Sequence, residues 1–475
     1  MKNNNIFLIV IIAFLCLGTA NSQIVPSVNN KVAFSGNDKA VLDQRLSNYT
    51  VFTIDKREII SKLYNEGKGQ FRICIDKQLD WTIELEFNDM RMPDYKQTYV
   101  TDKGEFEHEP FVVNTFKGKT SDNQIVRFTI DEDNFYGVIL DEQEHYVIRP
   151  AKDYTNNKSD NSLIAYKKSD IIIDNNADYI NDALEVPEID GRKRLETNMM
   201  NNISTRATPC AYRLIIATDA DYEFYQDMGS SVSNTYSYIF SILNIIEGLY
   251  QSTFGLRFAV SFQNVFTTSN QPYTSTHNST LLNQLSTEWE NNRAGIPREL
   301  AHLFTGKVVA GTGGLTWAGE LHSMGNGRGY GFSVFRPEMY QTTAHEIGHT
   351  LGAYDNPNDC DCGKVNASVM CQGMKDANLW FCQQSKNEIS QFLGWFGSYF
   401  QTGSVPTAIT LSGTFNGSFQ NNSATQTITT SQFVNNGLVS YKAGTYIEFQ
   451  SGFEVSTNAA IYGNTENVSQ CDDPE

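Results

Sequence analysis

The chain has 475 residues, too many for one hydrophobic core, which implies two to four domains. Its 40% apolar, 12% aromatic and 19% charged residues suit packed globular domains and exclude a disordered chain. The formal charge of −18 excludes a broad electrostatic grip on nucleic acid or on an anionic membrane.

Residues 1–22 carry Lys2, the apolar run Ile6 to Leu17, and the small residues Ala20 and Ser22 before a cut preceding Gln23. This is the three-part pattern of a secretory signal, and its apolar run is too short to span a bilayer. No later segment reaches about 18 uninterrupted apolar residues, so an exported, extracellular product without a transmembrane anchor is expected. Residues 23–206 open with strand-like pieces, Tyr49 to Ile54, Trp81 to Phe87 and Ile125 to Ile130, and Phe135 to Ile148 reads as a hairpin. From Asn156 to Arg206 the composition turns to Asn, Asp, Ser and Lys around the basic cluster Arg192, Lys193, Arg194, the pattern of an exposed linker where a precursor is cut.

The region 207–398 alternates strands with helices and so predicts a layered α/β or α+β domain. Its elements are strand Tyr212 to Thr218, a helix near Val232 to Gly248, strand Leu256 to Phe266 and a helix over Thr280 to Asn291. Residues 405–475 are rich in Thr, Ser, Asn and Gly with short β-prone pieces, which indicates a small all-β module. No repeat of fixed period runs through the whole chain. Eight cysteines are present, and Cys16 leaves with the signal. Cys210, Cys360, Cys362, Cys371, Cys382 and Cys471 form an even set, which in an exported protein suggests disulfides, with fifteen pairings open. A structural zinc site in the close group from Cys360 to Cys382 is the alternative, although no standard finger spacing occurs.

The chemistry is concentrated in Thr343 to Asn356, which reads TAHEIGHTLGAYDN. On a helix, His345 and His349 project from one face and are able to share a zinc ion at about 2.0–2.1 Å. Glu346 stands one step round, suited to act as a base on water at the metal rather than as a ligand. Gly352 offers a left-handed turn that swings the chain back, making Asp355 the third ligand. Two imidazoles and one carboxylate leave a fourth position open, as catalysis requires.

HEIGHTLGAYD resembles the metzincin signature, and RELAHLFTGK, GGLTWAGEL, GYGFSV and SVMCQG resemble its adamalysin or reprolysin branch. The resemblance covers roughly 207–398. It implies a zinc endopeptidase acting on proteins or peptides, with a mixed sheet and a long active-site helix. Glu346 is then the general base, His345, His349 and Asp355 the ligands, and Met370 the methionine beneath the zinc. Asp355 departs from the histidine usual in that branch. The resemblance also implies that Gly314, Leu315, Thr316, Trp317, Ala318 and Gly319 form the edge strand along which substrate pairs, an ordinary edge strand being the alternative. More weakly, Thr115 to Asp153 resembles the pro-domain of the same branch, implying a zymogen. KAGTYIEFQSGFEVSTNAA resembles stacked-strand modules at the ends of exported Bacteroidetes proteins. No motif speaks for calcium or for an oligomeric state.

Several rival readings belong beside these. Glu388, on a helix over Asn387 to Leu393, is the third ligand in a different zinc-peptidase class. His302 and His322 have no partner at ligand spacing and read as packing or surface residues. Cys74 is either a latency-enforcing thiolate or a plain buried thiol. A non-catalytic exported binding protein on a metzincin scaffold is the competing function, against which the base at Glu346 speaks.

Overall fold

The computed structural model describes residues 25–172 and 212–465, apart from short stretches that include 323–327, 356–361, 363–366 and 372–378 near the candidate site. The expected signal, Arg192 to Arg194, Cys210, Cys360 and Cys471 lie outside the described residues.

The N-terminal half builds a ten-stranded, largely antiparallel sheet. Alternation makes it: along Asp80–Phe87 the residues Trp81, Ile83, Leu85 and Phe87 are buried, and those between them face outward or lie half-buried. The hairpin expected at Phe135 to Ile148 is present as Phe135–Leu140 paired with His145–Pro150. Two helices that the sequence reading did not name, Asn37–Arg45 and Lys56–Glu66, accompany it. They escape a periodicity search because the first buries only Leu42 and the second only Ile59 and Leu63.

The second sheet has eight strands, and its main path runs Gly314–Thr316, Tyr330–Val334, Leu300–Thr305, Tyr212–Ala220, Leu256–Phe266, Arg91–Thr101, Gly104–His108. Pairings along this path are parallel except at its two ends, so the expected mixed sheet with antiparallel edges is what forms. The last two strands come from the N-terminal half, so the sequence segment 23–206 does not coincide with one sheet. All eleven residues of Leu256–Phe266 are buried, as expected for a strand covered on both faces. Asn278–Asn292 covers one face through Leu281, Leu285 and Trp289. The helices Val232–Phe254 and Met339–Thr350 cover the other within the largest core.

The helix read as ending near Gly248 continues to Phe254 and stops at Gly255, which is left-handed at φ 67°. Gly248 is not a terminator. A methyl there would come within 2.8 Å of Arg127 Cγ, so the glycine makes room for a side chain of the N-terminal sheet.

Residues 408–465 form two rows of parallel strands with a register of Ala408, Thr427 and Tyr446, a step of 19 residues. A second row stacks Thr414–Ala424, Phe433–Ala443 and Ala459–Thr465. Inward Ile428, Val434, Val439 and Tyr441 fill its core.

Candidate metal centre

The helix Met339–Thr350 carries the HExxH string and is buried along its length except at His349, which is half-buried. It is fixed from behind by Tyr250, whose hydroxyl donates to the Ala344 carbonyl at 2.7 Å. Its end is set by Gly352, left-handed at φ 84°. Gly352 N–H donates to His349 O at 2.9 Å and Ala353 N–H to Gly348 O at 3.0 Å. These two bonds are those of a Schellman turn, and they reverse the chain at the place the sequence motif demands.

The reversal orients the ligands. His349 Nδ1 bonds the Ala353 carbonyl at 2.8 Å, and His345 Nδ1 bonds the Val369 carbonyl at 2.8 Å. Because a carbonyl only accepts, each ring carries its proton on Nδ1 and presents the lone pair of Nε2. The two Nε2 atoms lie 2.9 Å apart, with Asp355 Oδ1 at 3.4 and 3.6 Å from them. Two lone pairs and a carboxylate oxygen thus face one point, which only a cation makes favourable. Asp355 Oδ1 is buried without a hydrogen-bond partner, the signature of an acceptor awaiting a ligand. The nitrogen and oxygen donors fit zinc.

Glu346 is buried beside the outermost strand. A methyl built on Gly314 would come within 2.7 Å of Glu346 Oε1 and 2.8 Å of the Phe332 carbonyl, so glycine is required at that position. Only Gly314–Thr316 of the expected edge segment is strand, paired antiparallel with Gly331 to Ser333. Trp317, Ala318 and Gly319 leave it, because Gly319 turns at φ 65° and donates its N–H to His349 O at 2.8 Å. Thr316 Oγ1 meets Thr350 Oγ1 at 3.0 Å and ties the strand to the helix.

Met370 lies under the helix: a methyl on Gly348 would come within 2.4 Å of its sulfur. Its turn is held by Ser368, whose hydroxyl accepts from Met370 N and Cys382 N at 3.3 Å each, and by the disulfide Cys362–Cys371. That disulfide, with Cys382 also oxidised, removes the four-thiolate zinc alternative.

Glu388 does not join the donor group among the described residues. Its Oε2 instead accepts from Tyr354 N–H at 3.1 Å, bracing the residue before Asp355. Sequence reasoning singled out this glutamate as a rival ligand and missed the role, which depends on a contact between residues 34 apart. It also missed the carbonyls of Val369 and Ala353, which side-chain motifs never reveal. His302 is buried against Ser333 Oγ at 2.8 Å, and burial pushes its imidazole down to about 3. His322 is a half-buried neighbour of Arg298 and Glu290. The buried-thiol expectation for Cys74 is corrected: it is exposed, because the inward residues of Lys68–Cys74 include Phe71 and Ile73 and the alternation turns Cys74 outward.

The donor set and the family match around it support a class, a metzincin-like metalloprotease. Residues 209–390 match the reprolysin-type model of metallo-peptidase family M12, whose members are zinc-dependent. No curated protein sequence gives a significant match. Among solved structures, metalloproteinase-II from Bacteroides fragilis is similar at 13% identity, with 71% of this chain and 95% of that chain covered and a TM-score of 0.40. A chain in a chaperone–substrate complex is similar at 13% identity over 40% of this chain and 36% of its own length, TM-score 0.32. At these scores neither likeness bears on fold or activity.

Proposed function

We propose that the chain is an exported zinc endopeptidase made as a zymogen, with His345, His349 and Asp355 holding the ion and Glu346 as general base. The observation that carries this reading is the convergence of three donor atoms, all within 4.8 Å of one another, at a helix whose buried Glu346 follows the first ligand and is not one of them. A structural site has no use for that fourth group, which also weighs against a non-catalytic binding protein.

When bound, zinc supplies a Lewis acid that polarises a carbonyl and makes water more acidic. Glu346 accepts the proton of the attacking water and returns it to the leaving amine. An extended peptide adds to Gly314–Thr316 as a further strand, displacing the Thr312 hydroxyl that holds Gly314 N–H and C=O. A substrate held in that way need not present a terminus, which supports internal cleavage. Met370 packs beneath the helix at Gly348, next to Val369, whose carbonyl accepts from His345 Nδ1. Export is supported by the pattern of residues 1–22 and by the Cys362–Cys371 disulfide, which persists in oxidising compartments. No helix among the described residues is long and apolar enough to cross a membrane. A cut at the basic cluster Arg192 to Arg194 is the proposed maturation step, with residues 405–475 as an attachment or spacer module. The linker expected from Asn156 begins later than the composition suggests, because Leu163–Lys167 is a buried strand of the N-terminal sheet.

The test is cleavage of casein by the purified, processed protein. Activity is expected to disappear with a zinc chelator and to return on adding zinc alone; chelator-insensitive cleavage would refute the assignment.

A further inference from the structure

We infer that the N-terminal half is a permanent structural partner of the catalytic half: once the chain is cut between 173 and 206, residues 37–172 stay bound without a covalent link. The working enzyme is then a two-chain assembly. This rests on the precursor reading above and says what maturation leaves behind.

The first observation is the sheet. Arg91–Thr101 pairs in parallel with Leu256–Phe266, with Phe262 opposite Lys96 and Phe266 opposite Val100. Side chains lock the register: Tyr95 hydroxyl donates to Gln263 Oε1 at 2.8 Å, and Thr98 Oγ1 to Asn264 Oδ1 at 2.9 Å. Gln263 and Asn264 are both fully buried. Departure of Arg91–Thr101 would turn a strand of eleven buried residues into an open edge, a form that folded proteins avoid.

The second is the helix Val232–Phe254. A helix on the surface of a domain keeps one polar face for water. Here every residue from Thr235 to Tyr250 is buried, because the face turned away from the catalytic sheet lies on the strands Thr115–Thr120, Ile125–Ile130 and Phe135–Leu140. The polar residues on that face are matched one by one. Ser237 takes a hydrogen bond from Asn114 Nδ2 at 2.8 Å, Asn244 donates to Phe128 O at 2.9 Å, and Glu247 pairs with Arg127 at 2.9 Å. Burial pushes the Glu247 carboxyl up, and Arg127 with Arg257 more than offsets this, holding it below its ordinary value.

The third is the core. Leu42, Met90, Val138 and Tyr166 belong to the same buried cluster as Leu243, Ile246 and Ile347. Contacts between separable domains are more polar than a domain interior, whereas this one is continuous with it. It reaches the start of the active-site helix, where Arg149 donates to Pro337 O and Tyr154 to Glu338 Oε1 at 2.7 Å. The attachment therefore supports the helix that carries His345 and His349 from its far end.

The experiment uses the full chain with a recognition sequence for a specific protease introduced between 173 and 206, cut to completion after folding. The two fragments should co-elute on gel filtration at the mass of the uncut protein. They should separate only at the urea concentration where the near-ultraviolet dichroism of the whole is lost. An N-terminal fragment that elutes alone in native buffer, while the remainder keeps its near-ultraviolet signal, would overturn the inference. Casein cleavage before and after the cut judges the precursor reading separately: equal rates would end latency as an explanation, and the elution result would still decide the assembly.

Discussion

At one end of the central sheet the three residues Gly314–Thr316 form its outermost strand among those described, beside Glu346 and the helix that bears the donor group. At the other end Arg91–Thr101 and Gly104–His108 extend the sheet with strands from the distant N-terminal half, Arg91–Thr101 fastened by buried polar pairs and Gly104–His108 left as an exposed edge. The catalytic end depends on short-range geometry, a Schellman turn and two backbone carbonyls. The N-terminal half is joined by contacts across more than 150 residues, such as Asn88 with Asn244. A substrate-facing edge has to stay available for a strand that arrives from outside, and an edge facing the molecule's own chain has to be covered.

Two substitutions sharpen the contrast from the catalytic side. Gly314→Ala puts a methyl within 2.7 Å of Glu346 Oε1. Displacing a catalytic group by about an ångström costs on the order of 100-fold, so kcat should fall by about that factor with zinc content unchanged. An unaltered kcat would show that this strand does not hold the base. The effect of Glu388→Ala should be smaller. Losing the bond to Tyr354 N–H loosens Asp355, and zinc affinity measured by chelator competition should fall about tenfold, in the range found for groups that orient ligands. Glu388→Gln, which keeps an acceptor, should restore most of it; equal affinity in all three proteins would remove the bracing role.

The same contrast explains what could be read from the sequence. HEIGHTLGAYD is a local motif, and its histidines, Gly352 turn and Asp355 lie together because fourteen or so residues suffice to specify them. Strand Leu256–Phe266 was readable to the residue, since apolar density marks a covered strand. The partner of that strand was not readable, because Arg91–Thr101 has no pattern that points more than 160 residues ahead. Gly248 was misread for a related reason: a glycine that admits Arg127 looks, in sequence, like one that ends a helix. The 19-residue register after residue 408 escaped notice because only scattered Ile, Val and Phe positions recur within a Thr- and Asn-rich background. Glu388 was recognised as chemically significant, but only the fold shows that it grips the backbone rather than the metal.

The central claim is that one carboxylate, Glu346, does the proton transfer at a metal site built by three other residues. Glu346→Gln, purified with zinc content measured alongside casein cleavage, tests it most directly. The account predicts one equivalent of zinc, as in the parent, with cleavage reduced by about 10²- to 10⁴-fold, the range for loss of a general base. Zinc retained with cleavage near the parent rate would contradict it.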